Sequence, residues 1–234
     1  MLQRASLVLD GSRVVFGFGG NYGDCGPYHG WVESVPVTGG RPYRFDVDSG
    51  RGEREGAVWM GGAAPIVTKA GDIYVAVGNG SAAPSVLPNG LVLQAGKSQT
   101  IYLLRQSHLG GIGGQLQERT GACGNDFGGG AAFSGSTAYL PCDNGLMAVR
   151  TDAAEQSLAV AWQTSSGAAG APILVGGLLF VESGGDLYAL RRTNGSVEAT
   201  YPVGSTASHF PTPSYGDRHV FAVSTDQVHA FVER

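Results

Sequence analysis

Apolar and polar residues alternate along this chain in short runs, and glycine turns gather the runs into groups of three. One group has a pair of strands in residues 172–181, bent at Gly176-Gly177, and a third strand at 186–190 beyond Gly184-Gly185. The next occupies 213–223 and, after Thr225-Asp226, 227–231; an earlier one runs from Ala131 through 137–140 to 146–149. Alternation with a period of two, bounded by glycine turns, marks half-buried β-strands. Aligning the middle strands on Thr137, Leu178 and Val220 gives steps of about 41 and 42 residues, the length of a four-stranded propeller blade.

Six middle strands are legible, at 13–18, 73–78, 91–95, 137–140, 178–181 and 219–223. The turns before them fall at Asp10-Gly11, Ala70-Gly71-Asp72, Pro88-Asn89-Gly90, Ser134-Gly135, Gly176-Gly177 and Gly216-Asp217, each with a residue suited to positive φ. The pattern predicts an all-β fold: a single domain over 1–234, a β-propeller of four-stranded antiparallel blades with about six blades represented. Ile73 and Leu91 are only about 18 residues apart, so the second blade is expected to be shortened near 80–88. Val14 and Ile73 are about 59 apart, which predicts an insertion around 21–30. The last unit ends after its third strand. Propellers protect their sheet edges by closing the ring, so this spacing predicts an incomplete or truncated ring, either a shortened variant or part of a longer protein.

Composition narrows the classes of function. The chain has 39 Gly and a charged fraction of 15%, as many tight turns between short strands require. A net charge of −4 without a Lys or Arg run makes nucleic acid a poor partner. No apolar stretch approaches the roughly 20 residues of a membrane span, and the first ten residues do not read as a signal peptide. Cys25, Cys123 and Cys142 match no zinc spacing. Cys123 and Cys142 stand either as a disulfide or as two buried thiols, with Cys25 left over. No nucleophile elbow, P-loop or HExxH motif is present.

The phrase Leu187-Tyr188-Ala189-Leu190, followed by Thr193-Asn194-Gly195, resembles the signature of pyrroloquinoline-quinone-type (PQQ-like) propeller repeats, with weaker copies at 101–104, 146–149 and 228–231. Residues 23–32, 73–80 and 108–114 resemble a bacterial group of quinoprotein-like repeat proteins that are commonly exported. The likeness covers nearly the whole chain. It implies an exported address for the parent protein and a non-catalytic scaffold that binds a protein or small ligand on its loop face. The alternative it implies is part of a PQQ- and calcium-dependent alcohol or sugar dehydrogenase. Gly78-Asn79-Gly80 resembles the Gly-Asn turn of those enzymes, which would set Asn79 as a calcium ligand. Their ligand Glu would fall near 19–23, where this chain has none, and no adjacent cysteine pair occurs. The expectation is therefore no cofactor and no catalytic residue, with PQQ and calcium as the alternative.

Four residues stand out as ligand-binding candidates: Asp24, Tyr28, His29 and Asn79. Asp24, Tyr28 and His29 crowd one Gly/Pro-rich connection, and loops on a rigid scaffold are where binding groups gather. A His buried beside an Asp also suits acid–base work. Trp31, Trp59 and Trp162 are expected to pack between blades, and His219 and His229 to be structural.

Overall fold

The computed structural model describes residues 3, 5–20, 28–49, 56–60, 64–77, 85–96, 99–110, 113–124, 127–165, 170–206 and 210–232. The first blade is β1 (Val8–Asp10), β2 (Arg13–Phe18), β3 (Trp31–Pro36) and β4 (Tyr43–Asp46), paired in that order. A two-stranded hairpin follows, β5 (Ile66–Val67) and β6 (Ile73–Tyr74). Blade 2 contains β7 (Ser85–Val86), β8 (Leu91–Ala95), β9 (Ile101–Arg105) and β10 (Gln117–Arg119). Blade 3 contains β11 (Ala132–Ser134), β12 (Thr137–Cys142), β13 (Gly145–Asp152) and β14 (Ser157–Gln163). Blade 4 contains β15 (Ile173–Val175), β16 (Leu178–Ser183), β17 (Asp186–Arg191) and β18 (Val197–Pro202). Blade 5 has three strands, β19 (Ser214–Gly216), β20 (His219–Val223) and β21 (Val228–Val232).

Every sheet is an antiparallel meander, and the innermost strands β11, β15 and β19 neighbour one another in turn, as β1 neighbours β5. The four buried clusters explain this radial order, because each fills the seam between successive sheets. One joins blade 1 to the hairpin through Val15, Val32, Val58 and Met60. A second joins blades 2 and 3, with Leu93, Leu103, Leu140 and Met147. The others join blades 3 and 4 and blades 4 and 5. In blade 3 successive side chains go to opposite seams: Ala138 and Leu140 face blade 2, and Tyr139 faces blade 4. Alternation within a strand thus becomes two buried faces.

Among the described residues five blades of three or four strands are present, not about six. The copy expected at 73–78 makes only the short strand β6. The roughly 18 residues from Ile73 to Leu91 cannot supply two further strands as well as the β7 strand of the next blade. The repeat step is also corrected. The first hairpins of blades 3, 4 and 5 close on Ser134↔Thr137, Val175↔Leu178 and Gly216↔His219, steps of about 41 residues throughout. A register shift recurs at the same phase, at Ala148/Val149 and at Ala189/Leu190.

A disulfide joins Cys123 to Cys142, with the Cα atoms 5.2 Å apart. It ties the chain leaving blade 2 to the end of β12, inside the cluster between blades 2 and 3. Among the described residues no helix is long and apolar enough to cross a membrane.

Candidate functional site

In a four-stranded meander the first and third turns lie at one end of the blade. The second connection and the link to the next sheet lie at the other end. In blade 1 this second end carries the β2–β3 connection, with Tyr28, His29 and Gly30, and the β4–β5 connection, with Asp48 and Gly56. Two connections separated in sequence therefore meet at one end of a rigid sheet.

Asp48 holds them together. It is 7% exposed, and its Oδ2 accepts the Gly30 N–H at 3.0 Å and the Gly56 N–H at 2.8 Å. The Gly30 carbonyl in turn accepts the Val47 N–H at 2.9 Å. Gly30 and Gly56 approach so closely that a Cβ on Gly30 would overlap the Gly56 carbonyl. At the end of β4, Asp46 Oδ1 accepts the Asp48 N–H at 3.0 Å and lies 3.2 Å from His29 Nδ1. The His29 imidazole is half-exposed, and Tyr28 lays its ring over Gly20. His29, Asp46 and Asp48 each present one donor atom, and all three atoms lie within 4.8 Å of one another.

His29 does sit beside an aspartate, but that aspartate is Asp46. Asp24 and Asn79 fall outside the described residues. Sequence reasoning missed Asp46 and Asp48; the available signal was a pair of carboxylates separated by one residue, Val47, at the end of a strand. Their link to His29 spans 17 residues and depends on the register of β3 against β4, which sets Trp31 opposite Asp46. The set can orient an imidazole, accept hydrogen bonds or hold a cation.

Trp162 packs between blades as expected. Its ring lies 5.9 Å from Tyr139 and against Gly195 of blade 4, and its Nε1 donates to the Arg192 carbonyl at 3.1 Å. Gly195, at φ 72°, is the glycine of the Thr193-Asn194-Gly195 turn. A Cβ there would run into the indole. A cavity of about 360 Å³ opens beside this contact, lined by Gln163, Thr164, Tyr188, Asn194 and Ser196 among others. An apolar cavity of about 630 Å³ lies between blades 4 and 5, against Phe180, Tyr201 and Phe231. His219 donates from Nδ1 to the Asp217 carbonyl of its own turn at 2.6 Å, and His229 stacks on Phe231.

The fold defines the class of protein. Among solved structures the chain is similar to the WD40 β-propeller domain of Doa1, with a TM-score of 0.57 and 13% identity over 95% of this chain and 75% of that one. It is also similar to the computationally designed Ika8 protein, at 0.59 and 12% over 98% and 70%. BamB from Moraxella catarrhalis aligns over 97% of this chain and 81% of its own, at 12% identity and a TM-score of 0.49. No family model matches the chain, and no curated protein matches it in sequence. The class is architectural: this is a β-propeller.

Proposed function

We propose that the chain is a PQQ-like repeat propeller acting as a non-catalytic binding scaffold, which presents the end of blade 1 that carries Tyr28 and His29 to a protein partner or small ligand. The observation that carries this reading is the Asp48 clamp. One buried carboxylate fixes two connections through Gly30 and Gly56, so the half-exposed His29 and Tyr28 stand on a preorganised surface. Rigid propellers suit this role, because the loops vary while the seams keep the blades in place.

The quinone alternative would place its calcium at Asn79, which lies outside the described residues and outside the His29, Asp46 and Asp48 set. Calcium takes six to eight oxygen ligands, whereas the assembled set offers one imidazole and two carboxylates. The Cys123–Cys142 bridge supports an exported address, since disulfides persist in oxidising compartments.

Two experiments test the scaffold. Peptides selected from a display library against the folded chain should lose binding on Tyr28→Ala and keep it on Phe133→Ala, a distant exposed position. Binders indifferent to Tyr28 would move the function elsewhere. Reconstitution with PQQ and calcium, followed by dye reduction with alcohols and sugars, should give no turnover; turnover would replace the scaffold by the dehydrogenase.

A further inference from the structure

We propose that His29, Asp46 and Asp48 form a binding site for a divalent transition-metal ion, with zinc as the reference ion. The inference deepens the reading of this loop face by naming a ligand class for it.

The donor set is one imidazole nitrogen and two carboxylates, a combination that suits zinc and its neighbours better than magnesium or calcium. Its three donor atoms lie within 4.8 Å of one another. Donors about 2.0–2.2 Å from a shared zinc ion stand at most about 4.4 Å apart, so a small rotation closes the set. The half-exposed imidazole is the part free to rotate, while Asp48 is fixed by its two backbone donors.

Asp48 is 7% exposed, and both of its backbone hydrogen bonds end on Oδ2. Its Oδ1 accepts no hydrogen bond among the described residues, and this is the oxygen left for a ligand. Among the described residues no Lys or Arg pairs with Asp46 or Asp48, and Asp46 pairs with His29. The nearby cation Arg44 is engaged with Glu33 at 3.0 Å. A buried carboxylate beside a second carboxylate, with an imidazole on one and no Lys or Arg on either among the described residues, is costly. A bound dication removes that imbalance. Three protein ligands leave a fourth position facing solvent on the His29 side, where water or a donor from a partner completes the shell.

The test uses the whole chain after treatment with a chelator, titrated calorimetrically with zinc chloride and, in parallel, with calcium chloride. The expected result is one zinc site per chain, a rise in melting temperature with zinc, and no comparable calcium binding. His29→Ala and Asp46→Asn should each weaken zinc binding by more than the roughly 10–100-fold that loss of an outer-shell partner costs. Asn at position 46 still accepts the Asp48 N–H, so the fold is kept, and circular dichroism verifies this for both variants. No zinc heat, zinc binding unchanged in both variants, or equal calcium binding would overturn the site. Any of these would leave the peptide-binding test of the scaffold untouched, since that test reads Tyr28 without metal.

Discussion

Glu182 shows how one residue can make a seam sensitive to pH. It lies on β16 with no exposed surface, and its Oε1 accepts the Val223 N–H across the seam between blades 4 and 5 at 3.4 Å. Its Oε2 has no hydrogen-bond partner. Burial pushes the carboxyl above the usual glutamate range, and the Val223 N–H only partly opposes that. Folding therefore favours the protonated form. This contribution is fully present below the unfolded-state pKa and is lost as pH rises through the higher folded-state value. Melting curves across that interval should show Glu182→Gln gaining on the wild type as pH rises. Parallel curves at every pH would mean that Glu182 titrates normally. Asp48 is buried too, but its Oδ2 accepts two backbone hydrogen bonds, whereas Glu182 has one long one.

Turns and crosslinks act at the scale of elements. In the last hairpin Asp217 and Arg218 take φ of 47° and 61°, the positions filled by Gly176 and Gly177 in blade 4. Anchoring on Val220 rather than on His219, which the hairpin register aligns with Leu178, turns a step of about 41 into 42. Left-handed backbone costs a residue with a Cβ about 1–2 kcal/mol, part of which glycine loses again through its unfolded-state entropy. Arg218→Gly should therefore stabilise the chain by about 0.5–1 kcal/mol in urea titrations; a loss of stability would mean the Arg218 side chain contributes more than its backbone costs. The Cys123–Cys142 bridge closes a separation of 19 residues and lies wholly inside the cluster between blades 2 and 3. Replacing both cysteines by alanine should cost about 3 kcal/mol on the loop-entropy scale. An unchanged urea midpoint would show that the seam's packing alone fixes this connection.

Across the molecule, burial is graded from the middle blades outward. Directly paired residues share a face. In blade 1 the face opposite Val15 carries Leu9, Val14 and Phe16, and Leu9 is 66% exposed. In blade 5 the face opposite Val220 carries Val223, Val228 and Val232, with Val228 70% exposed. None of the four buried clusters contains residues of both blades. Local opening is easiest where few buried contacts oppose it. Amide exchange should therefore be slowest in β12, β13, β16 and β17 and faster in β5, β6 and β21. Equal protection in β21 and β17 would show that blade 5 is covered in solution.

Strand positions, the repeat and the all-β class follow from the chain alone, because a period of two and glycine turns are local properties that need no partner. Residues 13–18, 91–95 and 219–223 match β2, β8 and β20 end to end for that reason. The blade count did not follow, because a phrase that reads as a strand becomes a blade only if enough chain follows to pair with it. The meeting of His29 with Asp46 and Asp48, the orphaned oxygen of Glu182 and the bridge between Cys123 and Cys142 were decided by the tertiary structure. Each joins residues from different connections or different blades, and their proximity is set by strand register and seam packing rather than by any interval along the sequence.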